Sequence, residues 1–428
     1  MQTKDIHQLF LNSTGVCTDT RKIKKNQIYF ALKGDHFDGN KFALKALEQG
    51  ASYAVVDHPE LANKEHCIYV DNVLASLQEL ANYHRRFINI PIIAITGSNG
   101  KTTTKKLINE LLQQKFKTQA TAGNFNNHIG VPLTLLSFDH SIDYGIVEMG
   151  ANHQKEIEFL CQIAMPNYGV ITNFGKAHLE GFGGVEGVIK GKSELYQFLS
   201  KTKGTAFVLA DDSKQIELTK NMSRVTIGSK PTNNYTIEAI KTFPKIEFEF
   251  KNQPLSTPLN GEYNFKNISF AAGIASYFGV ELEAIKKALK NFEPEENRSQ
   301  FIQKNSHQIL LDAYNANPSS MEASIKNFSQ HQNEKTLILG DMFEIGDEAL
   351  MEHFNIYKLC EQKNFKKVFF CGQLFYEALK NTELPKGFQA FQEYEDLAQE
   401  IQRHFSENQL ILIKGSRGMK LERVLDLL

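Results

Sequence analysis

Short apolar runs alternate with amphipathic stretches along most of the chain, and this alternation predicts an α/β protein built on mostly parallel sheets. Over residues 1–89, Ile28–Leu32, Ala54–Val56 and Ile68–Val70 read as short strands. Phe42–Gln49 reads as a short helix ending at Gly50, and Leu74–Phe87 as an amphipathic helix running toward Pro91, a natural boundary. A second segment, 90–295, opens on the buried-type strand Ile92–Ile95. A glycine-bearing loop follows, then a helix from Thr102 to about Lys115 with Leu107, Ile108, Leu111 and Leu112 in one stripe. Tyr144–Glu148 and Gly169–Thr172 read as further strands, Tyr235–Phe250 as an antiparallel pair at an added edge, and Asn267–Tyr277 as a helix. A third segment, 296–428, carries four short apolar strands, Ile309–Leu311, Thr336–Leu339, Val368–Phe370 and Leu410–Ile413. Helical stretches separate them, the pattern of an open, Rossmann-like sheet.

The bulk properties narrow the class. A length of 428 residues suits three domains, and 41% hydrophobic residues give each a core. Lys+Arg number 48 against 49 Asp+Glu, with no long basic tract, so a nucleic-acid partner is not expected. The longest apolar runs are strand-sized, so an integral membrane protein is not expected either. The opening MQTKDIHQLF is a poor signal peptide. The five cysteines form no C-x-x-C pair, which fits reduced thiols and a cytoplasmic location.

The strongest chemical signal is Thr96-Gly97-Ser98-Asn99-Gly100-Lys101-Thr102-Thr103, placed between a strand and a helix. Glycines let backbone N–H groups turn toward an anion, and the helix start presents its positive dipole end to the same anion. Lys101 then reaches the β- and γ-phosphates, and the Thr102 hydroxyl can ligate Mg²⁺. The general phosphate-loop pattern wants a glycine where this chain has Ile95, so the loop is a shortened variant.

Glu148 closes a strand, at the end of a doubly wound sheet where ligands bind. It can hold Mg²⁺ or stand as an exposed strand-end acid. His178 follows the next strand by a short loop and can ligate or serve structurally. Lys192, in Gly187-Val188-Ile189-Lys190-Gly191-Lys192, reads as a solvated lysine at a helix start. Periodicity does not separate it from Lys190.

Several stretches taken together resemble the ATP-dependent muropeptide (Mur) ligases, nearly end to end. They are the loop TGSNGKTTTK at 96–105, Glu148-Met149-Gly150-Ala151, Ala177-His178-Leu179-Glu180 and Gly191-Lys192-Ser193-Glu194. Asp312-Ala313-Tyr314-Asn315-Ala316-Asn317-Pro318, Gly340-Asp341-Met342-Phe343-Glu344-Ile345-Gly346 and Lys414-Gly415-Ser416-Arg417-Gly418 join them. The resemblance implies a small N-terminal domain that binds a UDP-sugar, a central phosphate-loop ATPase domain and a C-terminal Rossmann-like domain. It implies ATP and two Mg²⁺ sites. It also picks Lys192 over Lys190, as a lysine carbamylated to ligate the second Mg²⁺ beside His178, with Thr102 and Glu148 at the first.

The implied substrates are UDP-N-acetylmuramoyl-tripeptide and D-alanyl-D-alanine, joined through an acyl phosphate by a monomer. Asp19, Thr20, Arg21, Lys33 and Gly34, with Asn124, Asn126 and Asn127, are the implied muropeptide contacts. Arg298, Asp312 and Tyr314 join the phosphate loop at ATP, and Asn315, Asn317, Lys414 and Arg417 meet the substrates. Asn264 and Asn267 are nucleotide candidates, although either could cap its own helix. Where the family often has Gly-x-His-Asn, this chain has Gly261-Glu262-Tyr263-Asn264. A sibling ligase, a catalytically silent muropeptide binder and a phosphate-loop motor are the competing readings. The Tyr314–Pro318 and Gly340–Gly346 segments weigh against the first, the intact site residues against the second and the UDP-sugar motif against the third.

Overall fold

A computed structural model describes residues 1–428 except 295–296, 333, 364 and 405–407. The expected boundary between the second and third segments, at 295/296, lies outside the described residues. The described chain forms three α/β units, each a main sheet with its own helices, and a small two-stranded sheet, 33–34 with 37–38.

The first sheet has four parallel strands in the order Val16–Cys17, Ile28–Phe30, Tyr53–Val56 and Cys67–Tyr69. Its helix Val73–Ile88 is capped by the Asn72 side chain and stops where Asn89 turns left-handed at φ 47°. That helix turns Leu77, Leu80 and Ala81 inward. Its buried Arg85 donates across the domain joint, to Ala164 O at 2.9 Å and Asn167 Oδ1 at 3.1 Å.

The central sheet has nine strands. From one edge they run 253–257, 246–250, 235–241, 224–228, 205–209, 168–171, 92–96, 144–148 and 118–120. All run the same way except 246–250, which pairs antiparallel with both 235–241 and 253–257, so the expected antiparallel pair carries a third strand. Strand Ile92–Thr96 lies between Tyr144–Glu148 and Tyr168–Ile171. The connections leave it in opposite directions on its two sides, which opens a crevice at its carboxyl end. Its residues are wholly buried, as continuous apolar strands covered on both faces must be. Helix Lys101–Leu112 packs Leu107, Ile108, Leu111 and Leu112 into the core. Helix Glu262–Tyr277 starts five residues before the expected Asn267, because Gly261 rather than either asparagine holds the N-cap.

The third sheet has six strands rather than the expected four, in the order 300–304, 307–312, 410–414, 335–340, 367–371 and 388–391. The two extra strands lie at the edges. Gln300–Lys304 is half-exposed and pairs antiparallel, and Phe388–Phe391 is mostly half-buried. Edge strands carry a weaker apolar signal than central ones. Among the described residues no helix is long and apolar enough to cross a membrane.

Candidate active site

The carboxyl ends of the central strands and the facing end of the third sheet enclose a cleft of about 1110 Å³. The phosphate loop forms its floor, and its shape demands glycine. Gly97 has φ 140°, and a Cβ there would fall 2.0 Å from Thr172 Oγ1. Gly100 has φ 80°, and a Cβ would fall 2.5 Å from Asn267 Oδ1. The loop is tied to the next strand's end. Asn99 N–H donates to Asn173 Oδ1 at 3.1 Å, Thr172 Oγ1 donates to Asn99 O at 2.6 Å, and Ser98 Oγ donates to Gly175 O at 2.7 Å. Lys101 Nζ donates to Gly97 O at 2.7 Å. Burial lowers its pKa, with Glu148 opposing the shift.

Glu148 is buried, not an exposed strand-end acid. Its Oε1 accepts from Asn126 Nδ2 at 2.9 Å and from Thr102 Oγ1 at 3.3 Å, and its Oε2 lies 3.2 Å from Lys105 Nζ. Lys105 also donates to Gly123 O at 3.0 Å, tying the acid to the loop that carries Asn124, Asn126 and Asn127. Lys105 was not expected at the site. The signal was its position four residues after Lys101, on the same helix face.

Lys192 is not a solvated helix-start lysine. It lies in the middle of helix Val185–Thr202 and is 0% exposed. Spacing by four puts it in a buried row with Val188 and Tyr196, while Lys190 points outward. Its Nζ donates to Ala151 O at 3.2 Å and stands 4.8 Å from the Phe182 ring centre. Burial, then the charge on Lys101, pushes its pKa well below the usual lysine range. His178 lies at the start of helix Leu179–Phe182, with its Nδ1 against Glu344 of the third domain. Burial outweighs that carboxylate and lowers its pKa. Among the described residues no three His, Cys, Asp or Glu side chains gather as a metal site. The expected set is of another kind. The Thr102 hydroxyl beside the Glu148 carboxylate offers the hard oxygen donors that Mg²⁺ takes.

Asn264 and Asn267 are buried and cap nothing. Asn264 Nδ2 donates to Asn260 O at 2.9 Å, and Asn267 Oδ1 accepts from Thr104 Oγ1 at 3.1 Å. Tyr263, where the family often has histidine, shares a hydrogen bond with Ser299 Oγ at 2.9 Å. On the third domain, the Arg298 guanidinium stacks 3.6 Å from the Tyr314 ring centre. Buried Lys414 pairs with Asp312 at 2.6 Å. Asn315 accepts from its neighbour's N–H. Asn317 caps helix Pro318–Ser329 and also reaches Asn99.

The cleft thus gathers Ser98, Asn99, Gly100, Lys101, Thr102, Thr103, Asn124, Asn126, Asn127, Glu148 and His178 with Asn264, Asn267, Arg298, Asp312, Tyr314, Asn315 and Lys414. Gly97 and Lys192 lie behind its wall, and Arg417 lies beside it, 5.7 Å from the Tyr314 ring centre. Asp19, Thr20, Arg21, Lys33 and Gly34 are apart from it on the first domain. There Asp19 grips Arg21 at 2.8 Å, and Lys33 pairs with Asp57 at 2.8 Å.

Three family models match consecutive stretches: "Mur ligase family, catalytic domain" at residues 12–94, "Mur ligase middle domain" at 95–275 and "Mur ligase, glutamate ligase domain" at 297–417. The chain is 34% identical to UDP-N-acetylmuramoyl-tripeptide–D-alanyl-D-alanine ligase of Bacillus subtilis, over 96% of this chain and 92% of that one. It is 33% identical to the enzyme of that name from Escherichia coli, with the same coverage. A crystal structure of MurF from Acinetobacter baumannii superposes with a TM-score of 0.87 at 30% identity, covering 98% of this chain and 97% of that one. With its three α/β units, shortened phosphate loop and near-complete alignment, the chain belongs to the Mur ligase family.

Proposed function

We propose that the chain joins D-alanyl-D-alanine to UDP-N-acetylmuramoyl-tripeptide, consuming ATP and giving ADP, phosphate and UDP-N-acetylmuramoyl-pentapeptide. The observation that carries this reading is the near-full-length similarity to ligases of that name, on a chain whose cleft joins a phosphate loop to an acid and a histidine.

A carboxylate cannot expel oxide, so amide formation needs a better leaving group. The tripeptide carboxylate attacks the γ-phosphorus of ATP, the bond to ADP breaks, and an acyl phosphate results. The dipeptide nitrogen then attacks the acyl carbon, its C–O bond breaks, phosphate departs, and the nitrogen sheds its proton. The protein's part is positioning and charge neutralisation. Loop amides from Gly97 to Thr103 and the Lys101 ammonium hold the phosphates, and Asn264 and Asn267 flank them. Arg298, Asp312 and Tyr314 close on the nucleotide from the third domain, while Asn315, Asn317, Lys414 and Arg417 face the incoming dipeptide and the reacting carboxylate. Asp19, Thr20, Arg21, Lys33 and Gly34 take the UDP-sugar end, with Asn124, Asn126 and Asn127 nearer the reacting carboxylate.

Thr102 and Glu148 would hold one Mg²⁺. His178 would hold a second with Lys192 once that amine has added CO₂ and lost a proton. Burial supports this modification, because it disfavours the ammonium and so favours the nucleophilic free amine. Bound Mg²⁺ supplies Lewis-acid neutralisation of the crowded phosphate and carboxylate oxygens. Segments 1–89, 90–295 and 296–428 divide sugar binding, ATP binding and amine binding in a cytoplasmic monomer.

Product mass and phosphate release, measured with ATP, Mg²⁺, the UDP-muramoyl tripeptide and D-alanyl-D-alanine, test the reading. The expected result is a pentapeptide product and phosphate release that requires the dipeptide. ATP hydrolysis indifferent to the dipeptide would point to a motor, and no hydrolysis at all to a silent binder.

A further inference from the structure

The Gly340–Gly346 segment is used by none of the roles above, yet it is braced at several points. Asp341 accepts from the N–H groups of Leu374 and Phe375, each at 2.9 Å, pinning the segment to the start of helix Gln373–Leu379. Met342 N–H donates to His353 Nε2 at 3.0 Å, and Phe343 N–H donates to Ser416 Oγ at 3.0 Å. The next residue, Glu344, has φ 62°, a left-handed conformation that costs a non-glycine residue about 1–2 kcal/mol. Its side chain is 57% exposed and contacts Nδ1 of His178 across the domain boundary. His178 is left-handed too, at φ 54°. Gly346 meanwhile seats against the Glu180 side chain, so the loop docks on the short helix that His178 begins. Two strained residues on different domains therefore meet in one contact, and strain of this kind persists where the surroundings enforce it.

The donor and acceptor chemistry of the two side chains decides what the contact does. Glu344 brings a carboxylate to the His178 ring, and a carboxylate has no proton of its own to give. The contact therefore favours the ring form that carries its proton on Nδ1. That leaves Nε2 with its lone pair, on a residue that lines the cleft.

We propose that Glu344 is a positioning residue. Docking of the third domain brings its carboxylate onto His178 Nδ1, fixing the tautomer and angle of the ring so that Nε2 serves the cleft only in the closed enzyme. This rests on the reading of His178 as a metal-site residue, and its test includes a readout needing neither metal nor nucleotide.

The test compares Glu344→Ala, Glu344→Gln and, as a closure control, Lys176→Met, which breaks a different bridge across the same boundary, Lys176 to Glu352. ¹⁵N shifts of the His178 ring, read at pH 8 on the ligand-free protein, give the tautomer. Steady-state kinetics give kcat and KM. Glu344→Ala is expected to lose the Nδ1–H tautomer and roughly 10- to 100-fold in kcat with KM for ATP little changed. Glu344→Gln, which keeps an acceptor oxygen, is expected to recover most of both. Lys176→Met is expected to leave the tautomer intact. A wild-type tautomer in Glu344→Ala would overturn the proposal even in an active ligase, as would Glu344→Gln behaving like Glu344→Ala. An altered tautomer with wild-type kcat would overturn the role of His178 at the cleft instead.

Discussion

Asn317 donates its Nδ2–H to Asn99 Oδ1 at 2.7 Å, joining a helix cap of the third domain directly to the phosphate loop of the second. One side chain thereby serves two elements. Its Oδ1 accepts from Ser320 N–H at 2.9 Å, and its amide reports the third domain's position to the loop. Asn317→Ala is expected to cost about 1 kcal/mol from the lost cap, and to raise KM for ATP by loosening the bridge. Asn317→Asp keeps the cap acceptor but sets a carboxylate beside the triphosphate, so KM should rise severalfold with the melting temperature nearly unchanged. Thermal melts and ATP saturation curves separate the two effects.

Lys101→Ala removes the cation at the floor of the cleft. Turnover is expected to fall roughly 100- to 1000-fold, as for the loss of one preorganised charge contact. Stability should hold or rise, since a desolvated ammonium leaves with the side chain. Phosphate release at saturating substrates, alongside a melting curve, checks both; unchanged turnover would remove the phosphate-loop argument.

Lys192→Ala opens space beside Ala151 O where the modified side chain is proposed to stand. The variant is expected to be nearly inactive and to regain part of its rate in acetate or formate, which restore a carboxylate. Chloride at equal ionic strength should restore nothing. A fully active variant would rule out the carbamate.

The first two domains are joined through a buried pair of histidines. His84 Nε2–H donates to Phe138 O at 2.8 Å, because a carbonyl only accepts. His84 Nδ1 must then accept from His7 Nε2–H, at 3.1 Å, and both rings are neutral. Burial and His84 push the His7 pKa down to about 4. Burial likewise lowers His84, with His140 adding to the shift and the Phe138 carbonyl and Asp139 opposing it. Below about pH 6.5 the unfolded chain takes up protons that the folded one refuses, so stability falls as pH drops from 6.5 toward 4. His7→Phe should flatten that part of the curve. Melting temperatures of both proteins between pH 4.5 and 8 check this.

Much of the site was legible because it is local. Gly97 to Thr103 and Glu148 sit at the ends of strands whose apolar runs are visible in the sequence, and His178 follows another such strand by a short loop. Lys192 was separable from Lys190 only through family resemblance, although the buried spacing with Val188 and Tyr196 held the same information. Glu344 and Lys176 could not be read, because their partners lie across a domain boundary and far along the chain. The edge strands Gln300–Lys304 and Phe388–Phe391 were missed because half-exposed strands lack a continuous apolar run.

The central claim is that the tripeptide carboxylate itself takes the γ-phosphoryl group before the dipeptide arrives. Labelling both oxygens of that carboxylate with ¹⁸O and weighing the released phosphate tests it directly. One ¹⁸O per phosphate, with the other retained in the new amide, is the result this account predicts. Phosphate free of ¹⁸O, formed alongside the pentapeptide product, would contradict it.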